Sequence, residues 1–242
     1  MVGLIDLHSH ALFGVDDGAE SMEACMQMLG AAYSDGVRAI CFTPHYNPSR
    51  YRATAKEVYE AYERVCAAAS RRFPDLALLL GNEIYAYPGS LEALEAGDCR
   101  TLGGGRRVLL EFPLSVAYRD MRNVFLAYIT AGYQPVLAHA ERYAALREDV
   151  GRVKELVDMR VAVQVNAQSI LQIRRFRTYR FVRSLLSMRL VHAVASDMHN
   201  LKNARLLGRA FRVVLSRYGE SYAKQLFYSN PKRILLRKQG ED

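Results

Sequence analysis

The segment Leu4-Ile5-Asp6-Leu7-His8-Ser9-His10 has the pattern of a short buried β-strand that ends in two histidines. Six further apolar, β-branched runs follow it, with helical patterns between them, and this alternation is typical of βα units and a mostly parallel sheet. Strands are predicted at residues 4–8, 39–45, 77–83, 107–112, 135–140, 162–166 and 191–197. Helices are predicted at residues 20–34, 56–72, 119–130, 148–159, 179–187, 203–218 and 221–227, and Pro231 is expected to open a last short helix.

The length and apolar content of the chain fit one compact domain. Half of the 242 residues are apolar, so we expect a single α/β domain over residues 1–242, with seven βα units closing into a barrel. No apolar run approaches the roughly 18 residues that a membrane span needs, and no signal-like segment precedes Leu4. A cytoplasmic location is therefore expected, with reduced cysteines, because no C-x-x-C pair or framework spacing occurs.

The charge of the chain favours anionic partners. It carries 33 Lys and Arg against 25 Asp and Glu, a formal charge of +8. Much of the excess lies in a basic run, which fits a solvated helical face and also fits a surface that docks an acidic protein tail, a membrane or a nucleic acid. The run comprises Arg174, Arg175, Arg177, Arg180, Arg183, Arg189, Arg205, Arg209 and Arg212.

Candidate metal ligands cluster where the predicted strands end. In (β/α) barrels the carboxyl ends of the strands form the floor of the active site, so residues far apart in sequence meet there. His192 lies at the start of its strand and is expected at the opposite face. The residues at strand ends are His8, His10, His45, Glu83, Glu111, His139, Asp197 and His199.

The chemistry of this set favours bound metal ions. Glu83 and Glu111 each follow an apolar run, and a buried carboxylate is costly unless it is paired or bound to metal. Imidazole and carboxylate without thiolate suit zinc, manganese or iron(II), and about eight ligands imply more than one ion. Such ions hold a phosphoryl group and activate water, and Arg142, three residues after His139, is placed to clamp phosphate oxygens.

A series of short motifs runs in order from Leu4 to about Ile234. It comprises LIDLHSH (4–10), VDDG (15–18), TPH (43–45), GNEIY (81–85), LEF (110–112), AHAERY (138–143), VN (165–166) and ASDMHN (195–200). Together these motifs resemble the polymerase-and-histidinol-phosphatase (PHP) superfamily. More narrowly, they are similar to its bacterial protein-tyrosine phosphatases of the CpsB/YwqE type, which are encoded with capsular and exopolysaccharide genes.

The resemblance implies a distorted (β/α)7 barrel, the PHP fold, with three divalent metal ions, manganese being expected before iron or zinc. The implied ligand sets are His8, His10, Glu83 and Asp197 for the first ion, Glu83, Glu111 and His139 for the second, and Asp17, His45 and His199 for the third. Asp197 and Arg142 are the implied catalytic residues, with Arg142 on the substrate phosphate. The implied substrate is phosphotyrosine in the tail of an autophosphorylating tyrosine kinase that controls polysaccharide export.

One departure from the family pattern concerns a second phosphate-binding arginine. The family commonly has an arginine followed by prolines after the D-x-H-N motif, whereas this chain continues as Leu201-Lys202-Asn203-Ala204-Arg205. Two alternatives stay open: Arg205 takes the second catalytic role from a shifted position, or that role is lost.

Other functions compete with a metal-dependent tyrosine phosphatase. Within the superfamily, a small-molecule phosphatase of the histidinol-phosphate type, or a nuclease acting on DNA ends, would use nearly the same metals. A basic binding module with a vestigial metal site is the alternative outside enzymes. Cys66 and Arg72 formally fit the C-x5-R motif of cysteine phosphatases, but Cys66 lies in an alanine-rich helical pattern without the glycines of a phosphate loop. No stable nucleic-acid complex is expected, and a homo-oligomer is possible on this sequence.

Overall fold

The computed structural model describes residues 3–172 and 176–236, in which short strands alternate with helices. The strands are β1 (Leu4–Ser9), β2 (Val37–Phe42), β3 (His45–Tyr46), β4 (Ala77–Leu80), β5 (Glu83–Tyr85), β6 (Arg107–Glu111), β7 (Gln134–Leu137), β8 (Ala162–Asn166) and β9 (Ala193–Ala195). Arg174 and Arg175 of the basic run lie outside the described residues.

The helices cover the outside of the sheet and the loops at its ends. The α-helices are α1 (Met22–Ser34), α2 (Ala55–Arg72), α3 (Ser90–Ala96), α4 (Tyr118–Thr130), α5 (Ala144–Glu148), α6 (Val150–Asp158), α7 (Ala167–Leu171), α8 (Phe176–Ser187), α9 (Leu206–Tyr218), α10 (Glu220–Lys224) and α11 (Asn230–Leu236). Short 3-10 segments occur at Leu102–Gly104, Ala140–Arg142 and Asn203–Arg205, and a π-helical segment at Gln225–Ser229.

The strands close into a parallel barrel. β1 pairs with β2 and β2 with β4, whereas β3, β5, β6, β7, β8 and β9 are hydrogen-bonded neighbours in that order. β3 follows β2 and β5 follows β4 in adjacent positions, so nine strands fill seven places around the barrel. A parallel bridge between Ser9 and Met198 joins the last place to the first, and the Asp197 amide donates to the His8 carbonyl at 3.0 Å. The predicted seven-unit α/β barrel is confirmed.

Two predicted strands are each broken into two shorter ones. The break after Phe42 falls at Pro44, which has no amide hydrogen for a ladder. The break after Leu80 falls at Asn82, whose side chain donates to the Pro44 carbonyl and accepts from the Arg100 amide, both at 2.9 Å. His45 and Glu83 then begin new strands and pair in register. The breaks therefore set these two residues side by side at the carboxyl end of the barrel.

Apolar side chains fill the barrel interior at its amino-terminal end. This inner cluster includes Ile5, Leu7 and Leu109 from the strands, together with Ile234 and Leu235 of α11. His192 precedes β9 and lies at this end, as predicted. Because α11 occupies this end, the carboxyl ends of the strands are the open face of the barrel.

Helix boundaries follow the sequence patterns where the helices are long. α1 and α2 are capped by the preceding residues Ser21 and Thr54, whose side chains accept from the amides of Ala24 and Glu57. Gly36 follows the C-cap of α1 and has a φ of +98°, a left-handed conformation that suits glycine after a helix. The prediction missed α3, α5 and α7, which have five to seven residues and too few turns for a periodic signal. No helix among the described residues is long and apolar enough to cross a membrane.

Candidate metal centre

Histidines and carboxylates from distant strands meet at the carboxyl end of the barrel. The Nε2 atoms of His8 and His10 lie 3.1 Å apart, and Glu83 Oε2 lies 3.1 and 3.2 Å from them. Asp197 Oδ1 lies 3.5 Å from each of the same two nitrogens. Four predicted ligands, from β1 and the residue after it, from β5 and from the loop after β9, therefore face one point.

The other predicted ligands surround this point. His139 Nε2 lies 2.8 Å from Glu83 Oε1 and 3.5 Å from Glu111 Oε1. Asp17 Oδ1 lies 3.6 Å from His45 Nε2 and 3.4 Å from His199 Nε2. All nine predicted metal ligands are thus brought together in one cluster.

Two site residues have left-handed backbone conformations. His139 has a φ of +32° and Asp197 a φ of +50°. Residues other than glycine rarely adopt such angles, and they occur at functional sites where the surroundings hold the strained backbone in place. Each is the second residue after the end of its strand, so the turn of the chain there directs each side chain into the cluster.

Buried acceptors fix the orientation of two histidine rings. Asp16 Oδ2 lies 2.6 Å from His10 Nδ1, and Gln164 Oε1 lies 3.2 Å from His8 Nδ1. Each ring donates its Nδ1 hydrogen to this acceptor, which leaves the lone pair of Nε2 facing the cluster, as in many metal-binding histidines. Asp16 and Gln164 were not among the predicted site residues. The available signals were the carboxylate beside Asp17 and a glutamine between two valines in β8.

A chain of hydrogen bonds leads from β8 to Arg142. Gln164 Nε2 donates to Asn166 Oδ1 at 2.8 Å, and Asn166 Nδ2 donates to Asp197 Oδ2 at 2.6 Å. Arg142 donates to the same Asp197 oxygen at 2.7 Å. Asp197 therefore uses one oxygen to hold Arg142 and directs the other, Oδ1, at the histidines.

The charges of the carboxylates depend on their cationic neighbours. Burial and the charge of Glu83 raise the pKa of Glu111 to about 7. Burial would raise the pKa of Asp197 as well, but the charges of His8 and Arg142 outweigh it and lower this pKa to about 2. The raised pKa of Glu111 means that its charged form lacks a sufficient cationic partner. A bound metal ion would supply this positive charge.

Unpartnered oxygen atoms show that the cluster fits metal ions. Glu83 Oε2 and Asp197 Oδ1 are buried, and neither has a hydrogen-bond partner among the described residues. His8 Nε2 nevertheless lies 3.1 and 3.5 Å from these atoms. Short distances without hydrogen-bond geometry mean that these atoms face a shared space, an arrangement that a cation satisfies and that is otherwise costly in a protein interior.

The described residues contain three groups whose ligand atoms lie within 4.8 Å of one another. These groups are His8, His10 and Asp197; His45, Glu83 and Glu111; and His10, Asp17, His45 and His199. They overlap with the three predicted ligand sets. There are four differences. Glu83 is absent from the first group, and His10 also joins the third. His45 belongs to two groups, and His139 approaches the second through Glu83 and Glu111.

A cleft of about 840 Å³ opens above the cluster. Its lining combines site residues with Arg50, Arg142, Arg147 and Arg177, and with an apolar wall of Tyr51, Tyr85, Phe112, Pro113 and Leu114. Arg205 is not among the described residues that line this cleft. It is exposed at the end of Asn203–Arg205, and its charge acts on Asp35 instead. The structure therefore brings Arg142 to the centre and leaves Arg205 outside it.

Comparisons with known proteins place this chain in a family. The family model for capsular polysaccharide synthesis, CpsB/CapC, matches residues 4–236. The chain is 36% identical to the tyrosine-protein phosphatase CpsB of Streptococcus pneumoniae over 96% of this chain and 98% of that protein. It is 30% identical to the tyrosine-protein phosphatase YwqE of Bacillus subtilis over 98% and 92% of the two chains.

A solved structure agrees with these relatives. It comes from crystal structures of B. subtilis YwqE and S. pneumoniae CpsB, described as unique metal-dependent tyrosine phosphatases. It matches with a TM-score of 0.87 at 30% identity, and covers 96% of this chain and 94% of that chain. The chain belongs to the CpsB/CapC family of capsular polysaccharide synthesis proteins.

Proposed function

We propose that this chain is a metal-dependent protein-tyrosine phosphatase. The observation that carries the proposal is the pair of buried, unpartnered oxygens on Glu83 and Asp197, which face histidine nitrogens beside Arg142. Relatives of nearly full length are named tyrosine-protein phosphatases, and a structural relative is described as metal-dependent. The convergence of ligands supports a working metal centre over a binding module with a vestigial site.

The proposed centre takes three divalent ions, with manganese the first to test and iron and zinc as alternatives. The proposed ligands are His8, His10, Asp17, His45, Glu83, Glu111, His139, Asp197 and His199, within one domain over residues 1–242. When bound, such ions neutralise phosphoryl charge and lower the pKa of a water molecule to the range where it is a nucleophile.

The protein itself positions the phosphate and the leaving group. The Arg142 guanidinium is fixed by Asp197 and its planar fork suits two phosphate oxygens. The apolar wall of the cleft gives the phenyl ring of phosphotyrosine a surface to lie against. One part of that wall, Tyr51, is itself stacked on His45 with a centroid distance of 5.1 Å and an interplanar angle of 3°.

The proposed physiological substrate is the phosphorylated tail of a tyrosine kinase that acts in capsule or exopolysaccharide synthesis. The family's role in capsular polysaccharide synthesis supports this assignment. A cytoplasmic location is part of the proposal, because Cys25, Cys41, Cys66 and Cys99 are all free thiols. A homo-oligomer stays a prediction.

Two substitutions separate this mechanism from cysteine catalysis. Burial raises the pKa of the Cys66 thiol, which opposes a reactive thiolate. Cys66→Ser should leave turnover of a phosphotyrosine peptide nearly unchanged, whereas Asp197→Ala should lower it by several orders of magnitude. The reverse pattern would exclude the metal mechanism. Histidinol phosphate is the comparison substrate, and faster turnover of this small ester than of the peptide would favour the small-molecule alternative.

A further inference from the structure

A groove of about 670 Å³ adjoins the cleft along α8. Its walls include Val150 and Phe181 on the apolar side and Arg147, Arg177 and Arg180 on the basic side. Arg147 and Arg177 line both the groove and the cleft above the metal centre. The two depressions are therefore adjacent and share these two residues.

The groove carries positive charge without internal compensation. Arg177 and Arg180 are exposed, and neither forms an ion pair with a carboxylate in residues 3–172 or 176–236. Glu148 is the one carboxylate among the described lining residues, and it pairs with Arg152 at 3.6 Å. Arg147 is held in place, because it donates to the carbonyls of Glu141 and Arg142 at 2.9 and 2.5 Å. Two guanidinium groups thus remain available to an anionic ligand.

An exposed aromatic ring lies beside these arginines. Phe176 is 61% exposed, and the Arg180 guanidinium carbon lies 5.5 Å from its ring centroid. Phenylalanine and arginine are both enriched in protein interfaces relative to the rest of the surface, so this pair offers an apolar and a cationic contact to a partner.

We infer that this groove binds an acidic, extended segment of the substrate polypeptide that flanks the phosphotyrosine. The inference rests on the proposed function and adds the substrate's chemistry outside the reacting group. A concave groove next to the cleft suits an extended chain that leaves the active site, whereas a membrane surface is flat and would not enter it. Part of the basic run would then recognise substrate, with Arg180 and Phe176 as its outer contacts.

Kinetics on three substrates test the inference. They are a phosphotyrosine peptide with Glu and Asp on both flanks, the same peptide with Ser and Gly flanks, and 4-nitrophenyl phosphate. At low ionic strength, wild type should prefer the acidic peptide by about tenfold in kcat/KM, and 0.5 M salt should remove most of this preference. Arg180→Glu should abolish the preference by raising KM, with kcat and 4-nitrophenyl phosphate turnover within about twofold of wild type.

Matched variants and a binding measurement complete the test. Arg71→Glu makes the same charge change on the exposed surface of α2 and should keep the preference. Phe176→Ala should weaken it without a charge change. Fluorescence anisotropy with an unphosphorylated acidic peptide should show binding that Arg180→Glu removes.

Several outcomes would overturn the inference. These are equal kcat/KM for the two peptides in wild type, an equal loss in Arg71→Glu and Arg180→Glu, or Arg180-dependent binding of phosphatidylserine vesicles without peptide binding. If wild type hydrolysed none of the three substrates, the proposed function would fail, and the anisotropy measurement would still decide what the groove binds.

Discussion

Asp16 and His10 form a short hydrogen bond, with Asp16 Oδ2 2.6 Å from His10 Nδ1. Burial would raise the pKa of Asp16, but the hydrogen bond from His10 and those from the amides of His45 and Gly18 outweigh it and lower the pKa. A charged carboxylate therefore holds the ring whose Nε2 faces the metal centre. The same carboxylate ties the loop after β1 to the start of β3, so it positions two ligands at once.

Asp16→Asn should weaken metal binding by roughly 10- to 100-fold, as changes at groups that orient metal ligands typically do. Titration with a competing chelator, followed by counting the protein-bound ions, measures this affinity. Asp158→Asn is the matched control, because Asp158 is exposed at the end of α6. Equal affinities for all three proteins would show that Asp16 does not position a ligand.

Gly18 is required because the chain passes very close to His10. A Cβ atom at position 18 would lie 1.7 Å from the His10 carbonyl oxygen and 2.8 Å from its Cβ. Gly18→Ala should therefore displace the His10 backbone, with a loss of roughly 1–3 kcal/mol in the free energy of unfolding and weaker metal binding.

Chemical denaturation and the same chelator titration measure these two losses. Gly30→Ala is the control. Gly30 lies in α1, and a Cβ atom there would come no closer than 3.3 Å to the Phe73 ring, so this change should leave metal binding intact. Wild-type metal affinity in Gly18→Ala would mean that the loop tolerates the displacement.

Arg142 should act on the phosphate more than Arg205 does. Arg142→Ala removes a guanidinium that contacts phosphate oxygens in the transition state. It should reduce transition-state stabilisation by roughly 3 kcal/mol, which lowers kcat/KM about a hundredfold. Arg142→Lys should recover part of this, since an ammonium lacks the planar fork. Arg205→Ala should stay within about threefold of wild type if Arg205 acts only as an exposed residue near Asp35.

Kinetics on one phosphotyrosine peptide and one small phosphate ester, at fixed ionic strength, decide between the two arginines. A loss in Arg205→Ala as large as in Arg142→Ala, with a non-additive double mutant, would give Arg205 the second phosphate-binding role. An Arg142→Ala enzyme as active as wild type on both substrates would remove Arg142 from the mechanism.

His192 should make folding stability depend on pH. Burial and then the charge of Arg107 lower the pKa of His192 in the folded state, where its Nδ1 accepts from the Val163 amide at 3.1 Å. The unfolded chain binds a proton near pH 6.5, so below this pH it holds more protons than the folded chain, and stability falls. The stabilising contribution is complete above pH 6.5 and decreases as the pH drops toward the lowered value.

His192→Asn keeps an acceptor for the Val163 amide and cannot titrate. Its free energy of unfolding should fall less between pH 7.5 and 5.5 than that of wild type. The difference between the two proteins cancels the titration of the metal-site histidines. Identical pH dependence in both would show that His192 titrates normally.

The sequence predicts the strand ends well because each is an apolar run that stops at a polar residue. His8, Glu83 and His139 could be placed at one face of a barrel from this pattern, although Glu83 begins the second part of a broken strand and does not end an unbroken one. A residue that orients a ligand, such as Gln164, could not be predicted in this way. Its hydrogen bond to His8 joins residues 156 positions apart and leaves no local signal in the sequence. The position of Arg205 depends on the path of the loop after His199, which no periodic pattern describes.

The most direct test is to measure metal content and phosphotyrosine-peptide turnover on the same untagged preparation. Mass spectrometry should find about three divalent ions per chain, one for each of the three ligand groups. Removal of the ions by a chelator should abolish turnover, and Mn²⁺ should restore it. Full turnover by protein shown to be free of metal would contradict the proposed mechanism.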